Sequence, residues 1–203
     1  MKKLLILLLL GAIAIPASGE IFIGIYTDPD PAASALTLDT IPYTEVFLYL
    51  VAWWDGLDGT DPVDGITAAE FRVENVPSDD GFPFGDFNFE AASPLIIGEL
   101  DTSWSIAFDE PKGAADGYFT LGTMGIKAYN FEGAEWVGDD FQMYIKHTIP
   151  EEGPRADPLL VVVDDAFEIL DANGQGFTIN CTTGDCGFTA TRSSNWSTLK
   201  ALF

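Results

Sequence analysis

Apolar residues recur along this chain mostly with a period of two, in short blocks separated by Gly, Pro, Asp and Asn. Ala69, Phe71 and Val73 alternate with Glu70, Arg72 and Glu74, which predicts a strand with one wet face. Trp104, Ile106 and Phe108 repeat the pattern, as do Phe141, Met143 and Ile145. Three blocks are almost wholly apolar: residues 21–26, 46–54 and 159–163. Val, Phe, Tyr and Trp dominate residues 46–54, which predicts a central strand covered on both faces. Phe167 and Ile169 are expected to pair with Phe177 and Ile179 across a hairpin turn at Asn173-Gly174. Residues 27–31, 78–86, 109–113 and 150–158 are rich in Asp, Gly and Pro and read as loops. About ten strand segments and no internal helix predict an all-β fold, an antiparallel β-sandwich.

The ends follow other patterns. Lys2 and Lys3, an apolar run over residues 4–15, and Pro16-Ala-Ser-Gly19 have the zones of a secretory signal peptide, with cleavage expected before Glu20. The apolar run is short for a membrane span of about 20 residues. Membrane contact is therefore expected only during export. Near the other end, Trp196, Leu199 and Phe203 fall at helical spacing behind Ser194, a candidate N-cap. The expected organisation is a signal peptide at 1–19, a β-sandwich domain at 20–190 and a tail, helical or docked, at 191–203.

Charge narrows the partners. Removing Lys2 and Lys3 from the nine basic residues leaves seven against thirty-two acidic ones, a net charge of −25 for the mature chain. Such a surface repels phosphate backbones, so nucleic acid is excluded as a partner class, while cations and cationic surfaces are favoured. Cys181 and Cys186 are the two cysteines, and in an exported chain this spacing predicts a disulfide between them.

Candidate chemistry is sparse. Asp55, Asp58, Asp61 and Asp64 recur every third residue in a Gly-rich loop that offers three or four oxygens to calcium, without the EF-hand spacing. Asp171-Ala-Asn-Gly174 echoes a calcium loop, but the Asn-Gly turn accounts for the same residues. Sugar-stacking rings are sought among Trp53, Trp54, Trp104 and Trp136 and the run Phe82, Phe84, Phe87 and Phe89. Trp53 and Trp104 sit in strand patterns and are assigned to the core, and Trp136 is the candidate for exposure. His147 is the one histidine; it shares the parity of Phe141, Met143 and Ile145, and no nucleophile elbow accompanies it. No catalytic residue is assigned and no cofactor is expected.

Residues 65–73, Gly-Ile-Thr-Ala-Ala-Glu-Phe-Arg-Val, follow the long apolar strand. They resemble the strand pair of cohesin-like sandwiches, in which an apolar strand leads through a loop into a Gly-Ile-x-Gly/Ala-x-x-Phe-x-Val segment. The Trp-Ser-Thr-Leu-Lys-Ala-Leu-Phe ending at 196–203 resembles the ends of uncharacterised secreted bacterial proteins. The resemblance implies a bacterial extracytoplasmic module, in the periplasm or at the cell surface. The expected function is non-enzymatic binding or adhesion, with an extracellular protein or polysaccharide as partner. A carbohydrate-binding module and a glycoside hydrolase with paired carboxylates stand as alternatives.

Overall fold

The structure is a computed structural model that describes residues 20–35, 37–38, 44–55, 65–76, 84–113, 117–128, 141–149 and 158–179. The expected signal peptide at 1–19, the tail, Cys181, Cys186, Trp136 and the acidic loop after Asp55 lie outside the described residues. The described chain is all strand and connection. One sheet face is built from β1 (Glu20–Tyr26), β3 (Glu45–Asp55), β5 (Phe84–Ala91), β8 (Tyr118–Ala128) and β11 (Ile169–Gly174), in the order β11-β1-β3-β8-β5. The opposite face contains β4 (Gly65–Glu74), β6 (Leu95–Glu99), β7 (Ser103–Gly113), β9 (Phe141–Lys146), β10 (Val161–Asp164), β12 (Gly176–Ile179) and the two-residue β2 (Thr37–Leu38). β4 is its spine, pairing with β7 on one edge and with β10 and then β9 on the other. The sandwich is thus the predicted one, antiparallel throughout except for the parallel pairs β1–β11 and β2–β12.

Period two decides which side chains enter the core. Ile21, Ile23 and Ile25 of β1 and Leu48, Leu50, Ala52 and Trp54 of β3 face inward. They meet Phe71 and Val73 of β4, Ile106 of β7, Ile145 of β9 and Phe177 of β12. Each large aliphatic or aromatic side chain buried this way contributes roughly 1.5–3 kcal/mol. β3 is central by pairing, between β1 and β8. It is not covered on both faces along its whole length, because Phe47 on its outer face is 53% exposed.

Three segments depart from the sequence expectation. The loop expected at 109–113 is the end of β7, where Lys112 pairs with Ile66 and Gly113 with Gly65. A bulge between Ile66 and Ala68 of the partner register absorbs the intervening residues. Pro111 is tolerated there because a bulge frees its missing N–H from the ladder. A Lys112 to Asp109 ion pair of 3.1 Å lies along this segment. The loop expected at 78–86 gives way to β5 from Phe84 onward.

The third departure is the hairpin. Asn173 and Gly174 lie in extended β11, and Asn173 pairs with Phe22. Beyond them the chain runs on through Gln175 into β12, which pairs with β9 rather than folding back on β11. Gln175 donates its N–H to the Ile23 carbonyl at 2.9 Å and accepts from the Ile145 N–H at 3.1 Å. The segment therefore crosses from one sheet to the other. Gly174 serves close backbone approach: a Cβ there would stand 2.1 Å from the Ile145 carbonyl oxygen. The actual hairpin forms earlier, between β10 and β11, with Val161 opposite Asp171 and Val163 opposite Ile169.

Candidate functional site

Two surfaces of the sandwich carry side chains that the core does not use. The first is the outer face of the strands around β4, continued through the β10–β11 pairing onto β11 of the other sheet. Register places Leu95, Ala107, Ala68, Val163 and Ile169 side by side across β6, β7, β4, β10 and β11. The next rung is Ile97, Ser105, Glu70, Val161 and Asp171. The side chains at the two ends of this apolar band stand in solvent: Leu95 is 52% exposed, Ile97 62% and Ile169 69%. Arg72 and Lys146, on the following rung, are held by Glu74 at 3.0 and 3.9 Å.

Phe167 extends this band. It is 77% exposed and has φ of 62°, a left-handed conformation that bulky residues rarely adopt. The turn enforces that conformation. Asp164 accepts the Phe167 N–H on its carbonyl and the Glu168 N–H on Oδ1, and its own N–H bonds the Glu168 carbonyl. Thr67 Oγ1 in turn donates to the Asp164 carbonyl at 2.9 Å. The sequence expectation that Phe167 and Ile169 pair inward with Phe177 and Ile179 fails with the Asn-Gly hairpin: the first two are in solvent, the second two are buried. Phe167→Gly is expected to raise stability by about 1 kcal/mol, since glycine adopts this φ without strain. Urea denaturation measures it, and a lower midpoint would mean that the ring packs on the protein.

The second surface is a cleft of about 490 Å³ at the end of β1 and β3. Tyr26, Trp53 and Tyr118 give it aromatic walls, and Asp30, Ser34 and Gln175 give it polar ones. Trp53 is half-buried and stacks on Phe22, with ring centroids 4.5 Å apart and 17° between planes. Its indole Nε1–H donates to Tyr26 Oη at 2.5 Å. Tyr26 Oη in turn donates to Gln175 Oε1. Gly24 makes this possible, since the Tyr26 ring folds back over it so closely that a Cβ would fall 2.7 Å from Oη. Burial pushes the Tyr26 phenol far above its usual pKa, more than the Trp53 hydrogen bond lowers it, so Oη keeps its proton. The loop after β1 folds on its own side chains: Asp28 Oδ1 accepts the Asp30 N–H, Asp30 Oδ1 accepts the Ala32 N–H, and Ser34 Oγ accepts the Thr27 N–H.

The other sequence candidates separate cleanly. Trp54 and Trp104 are core residues, and Phe87 and Phe89 pack against the core. Trp53, assigned from sequence to the core, is the tryptophan that reaches a cleft; its place on the outer parity of β3, opposite Phe22 and Tyr118, was the available signal. Asp171 and Asn173 lie on a strand rather than in a calcium loop. No three His, Cys, Asp or Glu side chains converge on a metal position among the described residues. His147 follows the end of β9, and its carbonyl accepts Arg72 Nε at 2.9 Å. Burial first, and then Arg72 and Lys146, hold its imidazole below the usual pKa against the opposing pull of Asp171. Among the described residues, Asp30 is the one carboxylate lining the cleft.

The architecture is that of a β-sandwich of mostly antiparallel strands. Among solved structures, the sixth cohesin of scaffoldin B from Acetivibrio cellulolyticus, determined with a Cel5 dockerin, aligns at 11% identity and a TM-score of 0.42, covering 85% of this chain and 98% of that one. The solution structure of the cohesin CaCohA2 from Clostridium acetobutylicum aligns at 13% identity and a TM-score of 0.35, covering 85% and 96%. An OlpA cohesin from Clostridium thermocellum, also in a dockerin complex, aligns at 11% and 0.38, covering 80% and 99%. The likeness is one of coarse strand layout. No family model matches the chain, and no curated protein matches it.

Proposed function

We propose that this chain is an exported, non-enzymatic binding module that takes a protein partner on the outer face of β6, β7, β4, β10 and β11. The carrying observation is the rung Leu95–Ala107–Ala68–Val163–Ile169, an apolar band across five strands with both ends in solvent. Exposed contiguous apolar surface of this kind marks interaction sites. The exposed acids Glu99, Asp165 and Glu168 stand at its margins. With the net charge of the mature chain they favour a partner whose apolar ridge is flanked by Lys and Arg. Such a partner arrives by electrostatic steering and is held by burial of the band.

The test pairs capture with a double variant. Exported proteins of the producing organism are captured on the wild-type domain, and their affinities are then measured by calorimetry against wild type and Ile97→Asp/Ile169→Asp. The expected result is a basic protein bound at least a hundredfold more weakly by the variant, with its on-rate to wild type falling as salt rises. Thermal melting checks that the variant is folded. Undiminished affinity of the folded variant for every captured protein would overturn the reading.

A further inference from the structure

We infer that the cleft between β1, β3 and β8 is a second, separate binding site, and that its ligand class is a neutral carbohydrate. Its size falls within the about 300–1,000 Å³ of small-molecule sites. What distinguishes it from an accidental surface fold is that its walls are locked before any ligand arrives. The indole nitrogen of Trp53 can only donate, so it fixes Tyr26 Oη as acceptor there. The remaining proton of Tyr26 goes to Gln175, which fixes the amide with Oε1 inward and leaves Nε2 as its donor end. Gln175 itself is anchored by its backbone, bonded to Ile23 on one side and Ile145 on the other. Phe22 backs Trp53 and Gly24 gives the Tyr26 ring its place. An aromatic platform, an amide donor and a carboxylate acceptor are thereby preset, and ordering them costs little on binding.

The chemistry of that set selects the ligand. Trp53 has its N–H consumed, so it offers ring surface and no hydrogen bond. Ring surface is what the C–H face of a pyranose packs against. Gln175 Nε2 and Asp30 supply the donor and acceptor that adjacent sugar hydroxyls need, since a hydroxyl both donates and accepts. Asp30 and the net charge of the whole chain exclude anionic sugars. None of the described residues lining this cleft belongs to the band proposed above for the protein partner.

The experiment is isothermal calorimetry of the mature domain against cellohexaose, xylohexaose and N-acetylchitohexaose, with tetramethylammonium chloride and hexagalacturonate as the cationic and anionic controls. At least one neutral hexaose is expected to bind, and Trp53→Ala and Gln175→Ala each to weaken it tenfold or more. Trp53→Phe, which keeps a ring on Phe22, is expected to retain part of the affinity. Ile97→Asp/Ile169→Asp is expected to leave sugar binding unchanged, which separates this site from the protein-binding face. Binding of tetramethylammonium in place of the sugars would overturn the ligand class. Sugar binding unaffected by Trp53→Ala in a protein that melts normally would overturn the site, as would no binding of any neutral hexaose.

Discussion

Gly174→Ala is expected to destabilise the domain by about 3 kcal/mol or more, the upper end of what forced overpacking costs. In a protein of this size that lowers the melting midpoint by roughly 10 °C. The reason is geometric. The Cβ would lie 2.1 Å from the carbonyl oxygen of Ile145 and 2.8 Å from its carbonyl carbon. Both are backbone atoms of β9, so no side-chain rotamer can relieve the contact. Either β9 or the β11–β12 crossing must move, and Gln175 is tied to both sheets at this point. Disruption should therefore spread to the Phe177–Met143 pairing and to the Gln175 wall of the cleft. Gly117→Ala is the control. Its φ of 80° carries strain, but the nearest atom to a new Cβ is the Trp54 carbonyl at 3.9 Å, so the cost is expected near 1 kcal/mol. Differential scanning calorimetry of the two variants measures the contrast. Equal small losses would mean that the sheets do not cross as described.

The same glycine shows where the sequence was legible and where it was not. The alternation of Ala69, Phe71 and Val73 with charged residues identified β4 and its inward face, because burial on one side of a pleat leaves a period of two. Asn173-Gly174 misled because an Asn-Gly step marks two different needs, a left-handed turn and a close approach of backbones, and local sequence does not separate them. The long-range contact with Ile145 decides, and it comes from a strand about thirty residues away. Pro111 misled in the same manner, since a proline ends a central strand unless a bulge excuses it, and the bulge is a property of the pair of strands. The candidate sites were less legible still. The apolar band is written one or two residues per strand across five strands, so no segment of it stands out alone. The cleft joins Tyr26, Trp53, Tyr118 and Gln175, which meet only because β1 lies between β3 and β11.

Trp104→Ala is expected to cost about 3–5 kcal/mol, the range for deleting a large buried aromatic side chain. Since a domain is stabilised by only about 5–15 kcal/mol in total, this approaches global unfolding at growth temperature. Trp104 is 3% exposed and lies on the inner face of β7. Phe71 meets it edge-on at 5.4 Å and 79°, and Phe89 at 4.8 Å and 80°. It thus joins the β4 spine to β5, a strand of the other sheet, and its removal leaves a cavity that neither ring can fill alone. The two edge-to-face contacts add about 0.5–1.5 kcal/mol each beyond burial, and Trp104→Phe is expected to recover part of both. Trp53→Ala provides the comparison within one residue type. Trp53 is half-buried, stacked on Phe22 alone, and set at a cleft rather than between the sheets. Its removal is expected to cost less than half as much in stability while weakening sugar binding tenfold or more. Guanidinium denaturation of both variants, read with the calorimetric binding isotherms, assigns one tryptophan to the core and the other to the site. A loss under about 1.5 kcal/mol for Trp104→Ala would mean that the two sheets do not pack through this ring.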